Sequence, residues 1–191
     1  MKLMQGNQRG LTLVEVTVGV LIMGLVGLAA SAAIIQVVNA GRNSNHMSAL
    51  GQVQDAGYWV SRDGLQAQQV IDDNSATLPI DIIVSSHPEI ADIVGTKILL
   101  FKWQDWGGGD THEIVYSLQS MGSGSLNTLW RYERINTGQW TATLVAQYID
   151  ASATSCYWTD ASHSSFNFKV TATLQQETES RIYEIKPRPQ A

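Results

Sequence analysis

Cysteine is nearly absent from this chain: Cys156 is the only one in 191 residues. No disulfide can form within the molecule, and no cysteine near the amino terminus is available for a lipid anchor. Cys156 lies in Ser155-Cys156-Tyr157-Trp158, which reads as a strand and makes a small buried hydrophobe the expected state. The four histidines, His46, His87, His112 and His163, are scattered, and none pairs with another His or with Cys at zinc spacing. Basic residues are the minority, 12 against 17 acidic, for a net charge of −5. That balance disfavours a general affinity for nucleic acid. There is no G-x-S-x-G elbow, no G-K-[ST] after a glycine loop and no G-x-G-x-x-G opening a helix. These absences argue against an enzyme, and no cofactor is implied.

What the chain does have is one long apolar run, from Val16 to Val38. From Val18 to Ile35 its only polar side chain is Ser31. A bilayer core needs about 20 apolar residues in helical form, so this segment can span. Lys2 and Arg9 precede it and Arg42 follows. The bias is small but favours an amino terminus left in the cytoplasm, with the remainder of the chain outside. Glu15, at the head of the run, is the anomaly. A carboxylate at the bilayer centre costs about 2.5–3.5 kcal/mol on insertion scales, so such residues usually have a partner or a function. Within the span Gly27 and Ser31 form a small-xxx-small pair suited to close helix contact.

The head of this run reads Arg9-Gly10-Leu11-Thr12-Leu13-Val14-Glu15. A short basic leader ending in Gly, then a membrane-length helix with one early carboxylate, resembles the processing site of type IV prepilins and of type II secretion pseudopilins. The resemblance implies cleavage after Gly10 by a prepilin peptidase and N-methylation of Leu11. It further implies that Glu15 pairs with the terminal amine of a neighbouring subunit. The amine of Leu11 would lie about 6 Å from Glu15 along the helix axis, at roughly 1.5 Å per residue, and each charge would offset the other's desolvation. Loss of a leader of residues 1–10 would take the net charge from −5 to −7. Gly24 falls where many pilins loosen this helix. The Pro that many major pilins carry farther along is missing from Ala30 to Ala33, which is compatible with a minor subunit. Two other readings of the amino terminus remain open: a secretory signal cleaved after Ala30-Ser31-Ala32 and an uncleaved signal anchor.

Leu50, Val53, Gly57, Val60, Gly64, Ala67 and Ile71 continue a helical stripe at spacings of three and four. One helix is therefore expected from about Leu11 to about Gln69. Residues 11–39 would form its membrane or filament-core half, and 40–71 its outer half. Small residues on the stripe would let a strand layer approach closely. Residues 72–191 then form a β-rich part. Its expected strands are Ile80–Val84, Lys97–Trp103, Glu113–Leu118, Leu129–Ile135, Leu144–Ile149, Phe166–Leu174 and Arg181–Lys186. Turn signals separate them, among them Gly107-Gly108-Gly109-Asp110 and Gly122-Ser123-Gly124-Ser125. The expected fold is α+β and pilin-like, a long amino-terminal helix packed on an antiparallel sheet.

The order of Trp59-Val60-Ser61-Arg62-Asp63, Ile114-Val115-Tyr116-Ser117-Leu118, Leu129-Trp130-Arg131-Tyr132-Glu133 and Val145-Ala146-Gln147-Tyr148-Ile149 is similar to the J-type minor pseudopilins and related minor pilins. The implied partners are other pilin or pseudopilin subunits, the prepilin peptidase and the inner membrane. The implied location is a single-pass membrane protein that moves into a periplasmic or surface filament. Asp105, Asp110 and Glu113 around the three glycines read first as a solvated turn with no metal, and calcium ligation by these oxygens is the alternative. Trp103 and Trp106 flank the same loop and are candidates for partial exposure. A second functional class also stays open: a membrane-anchored adhesion module, binding a glycan or DNA at a pilus tip.

Overall fold

The computed structural model describes residues 12–72, 90, 92–122, 124–159 and 164–188. The expected strand Ile80–Val84, His87 and His163 lie outside them. Among the described residues one helix, α1, runs Leu13–Gln66, and eight strands follow. They are β1 Gln69–Asp72, β2 Thr96–Gln104, β3 Thr111–Ser120, β4 Leu126–Ile135, β5 Thr141–Asp150, β6 Ser155–Trp158, β7 Phe166–Leu174 and β8 Glu177–Ile185. All pairings are antiparallel, so the architecture is α+β and pilin-like. By its internal contacts the chain divides into two units, Met1–Asn43 and Ser44–Ala191.

In the second unit the sheet runs β1-β2-β3-β4-β5-β7-β6, with β8 on the other side of β7. The sheet curls, since the backbone N–H of Arg188, just past β8, donates to the carbonyl of Ala67, just before β1, at 2.9 Å. Alternation along the strands divides the side chains between two faces. Leu99, Phe101, Trp103, Ile114, Tyr116, Leu118 and Leu129 join Phe166, Phe168 and Ile185 in the main core, which takes in the buried stripe of α1. Leu100 and Val115 face the other way and form a smaller core with Ile90 and Ile93.

The stripe of α1 is buried where the spacing predicts, at Val53, Gly57, Val60 and Gly64, together with Ala49, Ala56 and Asp63. The helix stops earlier than expected, at Gln66 rather than about Gln69, and Ile71 belongs to β1. The reason is competition for backbone groups. The N–H of Gln68 donates to the carbonyl of Lys102 at 2.9 Å, and the Gln68 side chain brackets the backbone of Gln104. Those bonds start a ladder on β2 and leave nothing to extend the helix. The ladders also reach into polar sequence at the strand ends, such as Thr111-His112 and Glu177–Ser180, where alternation gives little signal.

Two glycines of α1 behave differently. A Cβ on Gly57 would fall inside the ring of Tyr183, whose hydroxyl donates to the carbonyl of Val53 at 3.2 Å. A Cβ on Gly51 would meet nothing within 4 Å. Gly51→Ala is therefore expected to stabilise by roughly 0.5–1 kcal/mol through helix propensity. Gly57→Ala is expected to destabilise, because displacing the ring costs about 1–3 kcal/mol and forfeits the Tyr183 hydrogen bond. Thermal denaturation of the two variants in detergent checks the opposite signs.

Candidate functional site

The head of α1 is closed by a reciprocal pair. The backbone N–H and the hydroxyl of Thr12 donate to the Glu15 carboxylate at 3.0 and 3.1 Å, and the N–H of Glu15 donates back to the Thr12 hydroxyl at 3.3 Å. This is a capping box, in which two orphan helix donors are satisfied by each other's side chains. The signal was present as Thr-x-x-Glu, but reading Glu15 only as a charge in a membrane obscured it. Gly10 and Leu11 lie outside the described residues.

Behind the cap, the apolar side chains from Leu13 to Val38 are exposed, and the helix is long and apolar enough to cross a membrane. Its two polar hydroxyls are satisfied within the helix, Thr17 by the carbonyl of Leu13 and Ser31 by that of Gly27, each at 2.9 Å. From Leu13 to Ile35 both hydroxyls are thus paired within the helix, as hydrocarbon surroundings require. A Cβ on Gly24 or Gly27 would meet nothing within 4 Å, so these positions lie open to a neighbouring helix.

In the body, the last turns of α1 are fastened to the sheet by a buried ionic cluster. Asp63 is 2% exposed and Arg131, on β4, 5%. Arg131 donates through Nε and a terminal nitrogen to both Asp63 oxygens, at 2.7 and 3.2 Å. The Tyr116 hydroxyl donates to Asp63 at 2.6 Å, and Arg131 donates to Glu133 at 2.8 Å. The Trp59 ring lies 5.1 Å from the guanidinium, completing its surroundings with a π face. Burial, then the charge of Asp63, push the Tyr116 phenol well above its usual range. Burial would raise Glu133, but its bond to Arg131 and the charges of Arg131 and His112 hold it below the ordinary carboxylate range. At the other end of the buried stripe, His46 faces Glu179 at 2.8 Å and Asn45 donates to Gln175 at 2.8 Å, so α1 is tied to the β7–β8 hairpin as well.

The calcium candidates are spread over separate partners. Glu113 is paired with Lys102 at 2.8 Å and with Arg134. Asp105 faces His112 at 3.4 Å, and Asp110 accepts from Asn136 at 2.8 Å. Among the described residues no three His, Cys, Asp or Glu side chains converge as metal ligands do. The two tryptophans of the hairpin diverge. Trp103 is buried and stacked on His112, with 5.0 Å between ring centroids, so of the two candidates it is packed in the core. Trp106, at the tip, is 100% exposed. Its neighbours Gly107 and Gly108 both hold φ of +80°, which a side chain would resist. Cys156 is buried, as expected.

Residues 5–31 match the family model of the prokaryotic N-terminal methylation motif. No curated protein and no solved structure matches the chain. The motif covers the leader end, Glu15 and the first part of the apolar helix, the segment in which the cap and the open glycines are found. It points to a structural subunit anchored in the membrane by a single helix, processed by a prepilin peptidase and assembled with others of its kind. The chain thus carries the type IV pilin signature at its head and an α+β body behind it.

Proposed function

We propose that this chain is a subunit, at a minor position, of a type IV pilus or type II secretion pseudopilus. The observation that carries the reading is the methylation motif at residues 5–31 continuing directly into an exposed apolar helix. In this reading the peptidase cuts after Gly10 and methylates Leu11. The released helix leaves the bilayer for a filament core, where Gly24, Gly27 and Ser31 allow close packing. Glu15 sets register against a neighbour's terminal amine, and the body from Ser44 onward faces the extracytoplasmic side. The minor position is supported by the absence of Pro between Ala30 and Ala33 and by the order of sheet segments that resembles J-type pseudopilins. An adhesive or DNA-binding role at a filament tip is the second reading, favoured by the fully exposed Trp106.

The first experiment is intact mass and terminal sequencing of the membrane-extracted protein. A start at methylated Leu11 is expected. A start at Met1 or at Ala33 would remove the peptidase step and leave an anchored or secreted binding domain.

A further inference from the structure

The body carries a basic groove on the outward face of the last turns of α1. Tyr58, Ser61, Arg62, Leu65, Gln66 and Arg188 line about 460 Å³, within the range of ordinary binding pockets. Its apolar members are open to solvent, Tyr58 at 62% and Leu65 at 56%. Two guanidiniums stand at its rim in a chain whose net charge is −5. Arg62 lies 5.2 Å from the Trp59 ring centroid, which restrains its position, and Arg188 is held by its backbone bond to Ala67. The groove therefore suits an apolar or aromatic side chain flanked by carboxylates.

The same chain presents that element. The β2–β3 hairpin ends in Asp105-Trp106-Gly107-Gly108-Gly109-Asp110, with the indole in full solvent and an acid on each side. The hairpin root is fastened beside the end of α1, where Gln68 bonds to Gln104. Knob and groove thus occupy the same end of the body. Copies inserted with the same topology hold their bodies on the same side of the membrane, where the knob of one and the groove of another can meet.

We infer that the Arg62/Arg188 groove receives the Trp106 hairpin of a second copy of this chain, giving a lateral contact between parallel subunits. The contact rests on the filament-subunit reading. The indole would cover Tyr58 and Leu65, and Asp105 and Asp110 would meet Arg62 and Arg188. Such aromatic and arginine anchors at the centre of a contact dominate its energy.

Two full-length copies with different tags, one carrying Thr111→Cys, exposed at the root of the same hairpin with Trp106 kept, and the other Ser61→Cys, are co-expressed and treated in membranes with a short bismaleimide. Each copy has a single new thiol, so an adduct holding both tags reports contact between copies. The expected result is that adduct, its loss when Arg62→Glu is added to the groove copy, and its recovery when Asp105→Lys is added to the knob copy. Yield no greater than with Thr178→Cys, at the opposite end of the body, in place of Ser61→Cys overturns the inference. So does a Thr111→Cys adduct formed with another protein instead. The amino terminus of the same samples is sequenced. A processed Leu11 without the adduct sinks only the lateral contact, whereas an unprocessed terminus sinks the subunit reading itself.

Discussion

Replacing Asp63 by Ala is expected to lower the stability of the body by about 3 kcal/mol, the low end of the range for breaking a buried ion pair. The guanidinium of Arg131 would keep its bond to Glu133 and its contact with Trp59 but lose both bonds to Asp63. The buried Tyr116 hydroxyl would lose its acceptor as well. Most of the cost is the desolvated charge left behind, not the worth of the original pair. The triple change Asp63→Leu, Tyr116→Phe and Arg131→Met should therefore recover most of the loss, since matched apolar replacements of buried pairs are often neutral. Chemical denaturation of the full-length protein in detergent, followed by tryptophan fluorescence, measures both. A triple variant no more stable than Asp63→Ala would show that the cluster contributes more than compensation for its own burial.

The second large effect is expected at Glu15, where two explanations make different demands. If the carboxylate acts by its charge on a neighbour's amine, both Glu15→Ala and Glu15→Gln should abolish filament incorporation while leaving cleavage at Gly10 intact. If the residue acts by closing the helix head, Glu15→Gln should retain incorporation, because glutamine serves at this position of a capping box. Glu15→Ala would then lose a cap worth about 1 kcal/mol. The subunit reading predicts the first pattern. The assay is the ratio of tagged subunit in sheared filaments to that in membranes. Incorporation of Glu15→Gln at the wild-type level would sink the electrostatic role and leave the cap as the function of the residue.

The division between what was legible in the sequence and what was not follows the physics of each element. Long apolar periodicity is unambiguous, so the membrane-length segment and the stripe at Val53, Gly57, Val60 and Gly64 could be read directly. The close approach at Gly57 was anticipated in kind, but its partner Tyr183 lies 126 positions away, and no local pattern names it. Asp63 could not be read as buried, because an acid beside the stripe normally marks the solvent side. Only Arg131 and Tyr116, brought opposite each other by the β3–β4 register, make a buried carboxylate tenable there. β1 was read as helix because Val70 and Ile71 suit either period, and hydrogen bonding to β2 decided the matter. The Trp103/Trp106 contrast is a consequence of strand alternation ending at Gln104: the last inward position is filled by one indole, and the turn carries the other outward.

The placement of β8 against α1 has a consequence for the order of events in synthesis. The helix emerges first and the strand that covers it emerges last, with Val53 and Tyr183 separated by 130 positions. At a translation rate of roughly 5–20 residues per second, the covering strand arrives on the order of ten seconds after the helix. Until then Val53 and Gly57 lack the Tyr183 side chain that covers them, a contact among the least local in the molecule. Maturation of the body is thus timed by β8, far along the chain from the helix it covers.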